Sequence, residues 1–177
     1  MPALVEEQSG PGLEEAFHQY KHMIFRAAYR ITGNAGDAED VLQTVFLRLL
    51  RQPTLPEIRN LPAYLHRSAV NASLDILRRK REAATLPLDE EPSQAEAAPV
   101  SPAQSSVEIR QWLRQALARL NPRWAEMFVL RFIEDLSNRE IARLMNTSAA
   151  VVAVVLHRTR AQLKKDFQAM TTPRRRP

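Results

Sequence analysis

The stretch Leu136–Arg160, LSNREIARLMNTSAAVVAVVLHRTR, contains capping, apolar and basic residues in an arrangement that could bind nucleic acid. Ser137 and Glu140 form a capping-box pattern, because a serine at the N-cap and a glutamate three residues later can satisfy each other's backbone donors. Asn146 can adopt the left-handed turn conformation, and Thr147–Ser148 offers a second N-cap. The pattern predicts a helix-turn-helix, the unit that lays its second helix in the major groove of DNA.

Apolar positions within this stretch have the spacing of two helices that pack on each other. They are Ile141, Ala142, Leu144 and Met145 in the first helix, and Val152, Val155 or Leu156, and Leu163 in the second. An αα-hairpin that only completes the core of a bundle would show the same spacing. The motif alone therefore leaves two interpretations open, DNA binding and a purely structural helix pair.

The rest of the chain offers no residues for covalent or metal-assisted catalysis. Cysteine is absent, which excludes disulfides and thiolate metal sites. His18 and His22 share a helix face, but no third metal ligand accompanies them, so we interpret them as exposed helix residues. The sequence also lacks a catalytic nucleophile motif and a phosphate-binding loop. It therefore predicts a binding protein that is not an enzyme and uses neither a cofactor nor a metal.

The positive charge of the chain, +5 in total, is concentrated towards the carboxyl terminus. Residues 107–177 carry 14 Lys and Arg against 6 Asp and Glu, whereas residues 13–82 carry 11 against 8. Such a field favours a polyanionic partner, with nucleic acid ahead of an anionic membrane surface. Because the amino terminus has no signal-peptide pattern and no run approaches membrane-spanning length, we expect a cytoplasmic protein without membrane insertion.

Helical periodicity organises the first half of the chain. Leu13–Thr32 repeats apolar residues every three or four positions, and the segment 33–36 ends this helix. A second helix begins with acidic residues, and its predicted buried residues are Val41, Leu42, Val45, Phe46 and Leu49. Asn60 and Pro62 mark the start of a third helix that ends near Glu82 in a run of basic residues. Capping alone explains part of that run, but four successive cations favour a phosphate-facing end.

Residues 83–106 contain four prolines and four acidic residues but no basic and no aromatic residue. Because this composition cannot build a packed core, we predict a flexible acidic linker. Helices are predicted beyond it over Val107–Leu120 and Pro122–Asp135, before the helix-turn-helix. The sequence therefore predicts an all-α fold. Its segments are a disordered amino terminus (1–12), a helical bundle (13–82), the linker (83–106), a helix-turn-helix domain (107–170) and a basic tail (171–177).

In this order, the segments resemble a bacterial extracytoplasmic-function (ECF) sigma factor. GNAGDAEDVLQTVFLRLLR resembles the family's second conserved region, and LPAYLHRSAVNASLDILRRKR resembles the segment that opens and reads the minus-10 promoter element. LRQALARLNPRWAEMFVLRFIEDLSNREIARLMNTS and LHRTRAQLKK resemble the start and the close of the domain that grips the minus-35 element. The resemblance implies a dissociable promoter-specificity subunit of RNA polymerase that melts the minus-10 element by binding, without ATP hydrolysis.

The resemblance also implies contact residues in the first half. The positions that match the family's face for the coiled coil of the polymerase's largest subunit are Asp40, Gln43 and Phe46. Those that match its minus-10 contacts are Tyr64, Arg67, Asn71, Arg78 and Arg79. Both aromatic residues have a structural alternative, since Phe46 and Tyr64 could instead pack in the core of a small helical domain.

The second helix of the helix-turn-helix departs from the family. Ala153, Val154 and Val155 stand where relatives place lysine, serine and arginine. Their side chains can only contact thymine methyl groups or tolerate whatever base lies beneath them. Upstream recognition is therefore expected to be weak, methyl-dependent or based on DNA shape. The remaining candidate minus-35 contacts are Ser148, His157, Arg158 and Arg160. An exposed apolar patch in this helix could equally bind a protein.

This departure leaves an alternative function open, a sigma-like decoy or anti-sigma-binding regulator that does not itself direct initiation. A simple helix-turn-helix repressor would leave the first domain unexplained. As a sigma factor, the chain is expected to bind core RNA polymerase through the largest-subunit coiled coil and the flap. Its other expected partners are promoter DNA and an anti-sigma factor, and the free chain is expected to be a monomer.

Overall fold

Seven α-helices account for nearly all of the residues that the computed structural model describes, which are 13–51, 60–85 and 102–171. They are α1 (Leu13–Thr32), α2 (Ala35–Leu50), α3 (Leu61–Thr85), α4 (Pro102–Arg119), α5 (Pro122–Phe132), α6 (Asn138–Leu144) and α7 (Ala149–Thr171). These ranges contain no strand, which confirms the all-α prediction. The chain divides inside α3, between Ser73 and Leu74, into two compact units.

In the first unit, α1 and α2 pack against each other across a short turn. Gly33 takes a positive φ of 69° at this turn. Asn34 then caps α2, because its Oδ1 accepts a hydrogen bond from the backbone N–H of Asp37 at 3.0 Å. The fully buried residues of the two helices are Ala16, Ile24, Ala28, Ala38, Val41, Val45 and Leu49. The predicted bounds of α1 and most of the predicted apolar face of α2 are therefore confirmed.

Helix α3 starts where Asn60 and Pro62 predicted it. Asn60 accepts a hydrogen bond from the backbone N–H of Ala63 through its side chain at 3.1 Å, and Pro62 lies in the first turn. The predicted inward residues Leu65, Ala69, Ala72 and Ile76 are all buried. The helix continues past Glu82 to Thr85.

Helices also occupy both ends of the predicted linker. Residues 83–85 belong to α3, and α4 begins at Pro102 instead of Val107. Proline is well tolerated in the first turn of a helix, where its missing N–H would have no partner. Residues 86–101 of the predicted linker lie outside the described part of the chain, as do the amino terminus 1–12, residues 172–177 of the predicted tail and residues 52–59.

The second unit is built around α5, α6 and α7. Asn121 caps α5 by accepting a hydrogen bond from the Arg123 N–H at 3.0 Å. The helix ends at Phe132, earlier than predicted, because Asp135 takes a positive φ of 56° and turns the chain towards α6. The largest fully buried side chains of this unit are those of Leu74, Leu117, Met127, Leu130 and Ile141.

Among the described residues, no single helix is both long and apolar enough to cross a membrane. The helices α6 and α7 reach that length and composition only when they are counted together across a sharp bend.

Candidate functional sites

The first helix of the predicted helix-turn-helix starts at a complete capping box. The Ser137 N–H donates to Oε2 of Glu140 at 2.7 Å, and the Glu140 N–H donates to the Ser137 hydroxyl at 3.3 Å. Hydrogen bonds from the Ser137 side chain and backbone hold the pKa of the Glu140 carboxyl below its usual value. The stabilisation from this carboxylate is therefore present at neutral pH and is lost as the pH falls through the lowered pKa.

The turn between α6 and α7 also has the predicted geometry. Asn146 has a φ of 49°, in the left-handed region, and the Thr147 N–H donates to the Ala142 carbonyl at 2.9 Å. Ser148 caps α7, because its hydroxyl oxygen accepts a hydrogen bond from the Val151 N–H at 3.2 Å. The two helices meet at 109°, within the range of about 90–120° that helix-turn-helix pairs adopt. The structure thus confirms the helix-turn-helix.

One face of α7 packs into the core of the second unit. Its buried residues are Val152, Leu156, Thr159 and Leu163. Of the two residues that the sequence left open, Leu156 is buried and Val155 is only half-buried. The Thr159 hydroxyl is satisfied inside the core, since it donates to the Val155 carbonyl at 2.9 Å.

The opposite face of α7 is exposed, and its amino-terminal part is apolar. We call Ala150, Val151, Ala153 and Val154 the valine patch; Val151 is 46% exposed and Val154 is 50% exposed. The predicted contacts Ser148, His157, Arg158 and Arg160 are also exposed. Arg160 differs from the others, because its guanidinium lies 5.7 Å from the ring centre of Phe132 in a cation–π contact. That contact turns Arg160 towards α5 and away from the valine patch.

The predicted minus-10 residues of α3 lie on one stripe of the helix. Tyr64, Arg67, Asn71 and Arg78 recur at helical spacing and are all half-buried. Asp75, which is not among the predicted contacts, lies on the same stripe and forms an ion pair with Arg78 at 2.9 Å. Arg79 stands beside this stripe and is exposed. We call Tyr64, Arg67, Asn71, Asp75 and Arg78 the α3 stripe.

On α2, the three predicted polymerase contacts differ in their exposure to solvent. Asp40 and Gln43 are exposed, but Phe46 retains only 7% exposure. Its ring packs edge-on against Phe17, with 4.8 Å between the ring centres, so this aromatic residue belongs to the core of the first unit and offers little surface to a partner.

Two exposed leucines continue the line of Asp40 and Gln43 instead. Leu47 is 52% exposed and Leu50 is 58% exposed. The spacing of Asp40, Gln43, Leu47 and Leu50 is three, four and three residues, which is the a/d pattern of a coiled-coil seam. We call these four residues the α2 seam. The spacing of these residues is present in the sequence. Leu47 and Leu50 were not predicted to be exposed, because they lie next to the buried apolar residues of α2.

An apolar groove opens on the second unit between α4, α5 and α7, with a volume of about 540 Å³. Trp112 and Phe167 meet edge to face across α4 and α7, with ring centres 4.9 Å apart. Phe128 and Phe132 of α5 also line the groove, with 4.7 Å between their ring centres. Periodicity in the sequence does not indicate this groove, because its aromatic residues come from three separate helices. Within the described ranges, no group of three or more acidic or histidine side chains could hold a metal.

Two stretches of the chain match models of protein families. Residues 16–83 match sigma-70 region 2, and residues 110–163 match sigma-70 region 4. The α2 seam and the α3 stripe fall within the first match, and the helix-turn-helix falls within the second up to residue 163.

Relatives are similar along most of the chain. The ECF RNA polymerase sigma factor SigW of Bacillus subtilis is 30% identical over 161 residues, which cover 84% of this chain and 85% of SigW. RNA polymerase sigma-E factor of Streptomyces coelicolor is 31% identical over 88% of this chain and 86% of its own length. ECF sigma factor SigE of Mycolicibacterium smegmatis is 31% identical over 90% of this chain, which spans 63% of that relative.

Among solved structures, the chain is similar to the ECF sigma factor SigJ of Mycobacterium tuberculosis. The two are 25% identical with a TM-score of 0.45, over 92% of this chain and 54% of SigJ. The similarity to SigW and to the Streptomyces factor covers more than four-fifths of this chain and more than four-fifths of each relative. The chain therefore belongs to the extracytoplasmic-function family of RNA polymerase sigma factors.

Proposed function

We propose that this chain binds core RNA polymerase and directs promoter-specific transcription initiation. The observation that carries the proposal is the helix-turn-helix, in a chain that belongs to a family of sigma factors. Its capped helices meet at 109°, and the exposed outer face of α7 is apolar near its start and basic further along. Such a unit suits the major groove of upstream promoter DNA. The proposed site of action is the cytoplasm, where polymerase and chromosome meet.

We further propose that the α3 stripe and Arg79 bind the minus-10 element. Arginine neutralises phosphate charge, and the amide of Asn71 can hydrogen-bond an unpaired base edge. Tyr64 is half-buried, which leaves part of its ring for stacking on a melted base. Opening of the duplex would then draw on the free energy of binding to the separated strand, without ATP hydrolysis.

The α2 seam and the apolar groove are the proposed polymerase contacts. The seam offers a line of exposed side chains with coiled-coil spacing, which fits the coiled coil of the polymerase's largest subunit. The groove, lined by Trp112, Phe128 and Phe167 among others, fits an apolar helical segment such as the polymerase flap would supply. An anti-sigma factor that covers either surface would block initiation, and is the proposed regulator of the monomeric free chain.

The decisive experiment is a run-off transcription assay with purified components. Core polymerase and this chain are incubated with genomic fragments in the absence of any other sigma factor, and the transcripts are mapped. We expect transcripts with fixed start sites that require the chain, because core polymerase alone does not select promoters. Tight binding to core polymerase without any such transcript would contradict the proposal and identify a decoy.

The salt dependence of promoter binding tests the role assigned to the carboxyl end of α3. Replacing both Arg78 and Arg79 by alanine removes two potential phosphate contacts, which should lower the slope of log Kobs against log salt by roughly 2. Binding of holoenzyme to a pre-melted promoter bubble is measured between low and moderate salt. Arg26→Ala, at an exposed position of α1, is the matched control and should leave the slope unchanged. An unaltered slope in the double variant would remove these residues from the interface.

A further inference from the structure

The valine patch is an apolar surface in the part of α7 that a helix-turn-helix presents to base edges. It begins two residues after the capping residue Ser148 and covers the first turn and a half of the helix. Val151 and Val154 are about half exposed, while Val152 between them is fully buried. The two outer valines therefore keep about half of their surface outside the core.

Local helix stability does not explain the outer valines. Valine is a poorer helix former than alanine, because its β-branched side chain loses rotamer freedom against the preceding turn. Exposed Val151 and Val154 thus make the isolated helix less stable than alanine would, and they leave apolar surface in water. A bound partner that covers this surface would offset both costs.

Charge around the patch favours DNA as that partner. Arg158 lies one turn beyond Val154 on the same face of α7 and is exposed, and Lys165 continues this face. On α6, Arg139 and Arg143 are exposed as well. Cations around an apolar strip match the major groove, in which phosphates line both edges and base edges form the floor.

The chemistry of the groove floor then determines which base the patch can recognise. Alanine and valine side chains neither donate nor accept hydrogen bonds, so they cannot distinguish guanine, adenine or cytosine by their polar edges. The only apolar group on that floor is the 5-methyl of thymine. We infer that Val151 and Val154 contact thymine methyl groups in the upstream promoter element, which makes upstream recognition by this chain dependent on thymine. The inference rests on the proposed function.

The test removes the methyl group from DNA and the valine from the protein. The probe is a promoter duplex that supports transcription by the holoenzyme, with each upstream thymine replaced in turn by 2′-deoxyuridine, which lacks only the 5-methyl. We expect one or two positions at which the replacement weakens holoenzyme binding by about fourfold, the factor that corresponds to about 0.8 kcal/mol for one buried methyl.

The protein variants identify the side chain responsible. Val154→Ala and Val151→Ala should each weaken binding to the thymine duplex and abolish the difference between thymine and uracil at one position. Both positions are exposed and alanine favours a helix, so the variants should fold. Met170→Ala, at a position of α7 that is 54% exposed and lies far from the patch, is the matched control and should retain the full difference.

Equal binding of thymine and uracil duplexes at every upstream position, or a functional upstream element without thymine, would overturn the inference. So would valine variants that bind DNA normally but lose a protein partner, since the patch would then be a protein contact. Run-off transcription from the same duplexes separates this failure from failure of the proposed function. A chain that supports transcription but ignores the methyl groups refutes only the inference, whereas a chain that supports no transcript refutes the function itself.

Discussion

Replacing Leu47 by aspartate should weaken the association of this chain with core RNA polymerase by about 10- to 100-fold. Leu47 is 52% exposed near the middle of the α2 seam, where a docked coiled coil would bury its side chain. Burial of a leucine contributes about 1.5–3 kcal/mol, and a charged carboxylate at this position would also need to be desolvated. The dissociation constant for core polymerase, measured with a labelled chain, gives the result directly.

Charge reversal at Asp40 tests the amino-terminal end of the seam. Asp40→Arg should also weaken polymerase binding, but by less than Leu47→Asp, because exposed charges at the rim of an interface contribute little equilibrium affinity. Tyr29→Asp is the matched control, since Tyr29 is 49% exposed on α1 and lies outside the seam. Circular dichroism should show unchanged helical content in all three variants. Undiminished binding by both seam variants would exclude α2 as the polymerase contact.

Local signals in the sequence predicted most of the fold. The apolar spacing of α1, the Asn60 and Asn121 caps and the Ser137 capping box each appear in the structure at the predicted residue. These features depend on residues within one or two turns of each other, so sequence alone contains them. Helix ends that depend on tertiary context were predicted less well. Asp135 ends α5 with a positive φ, which aspartate tolerates but does not require.

The start of α4 shows how composition can hide a local signal. Pro102 was assigned to a linker because prolines and acidic residues crowd around it, yet it opens a helix of 18 residues. Proline supports both interpretations, since it breaks a helix from within and starts one at the first turn. Only the helical residues that follow it decide between the two.

Functional surfaces were harder to predict than helices, because exposure is a property of the whole unit. Phe46 and Leu47 are adjacent apolar residues of α2, and periodicity places both near the edge of its buried face. The position of Phe17 decides that Phe46 packs inwards and leaves Leu47 outside. The apolar groove depends even more on the folded unit, since α4, α5 and α7 must pack together before their aromatic rings share a surface.

Promoter replacement should distinguish the proposed downstream DNA contact of this chain from the proposed upstream one. Scrambling the downstream, minus-10 element is expected to reduce run-off transcription by about 100-fold or more, because each good polar base contact from the α3 stripe discriminates by about 1–3 kcal/mol. Scrambling the upstream element should cost only about 4- to 16-fold, the loss of one or two methyl contacts.

The physical reason for this asymmetry is the side-chain chemistry of the two helices. Arg67 and Asn71 on α3 can bond base edges, whereas Ala150, Ala153 and Val154 on α7 cannot. Phosphate contacts from Arg158 would survive any change of upstream sequence, since they do not depend on base identity. Transcription from paired templates, each with one element scrambled, measures both effects at the same salt concentration. A sharp upstream preference for guanine would mean that side chains other than the valine patch face the bases, and the proposed register of α7 in the groove would have to be abandoned.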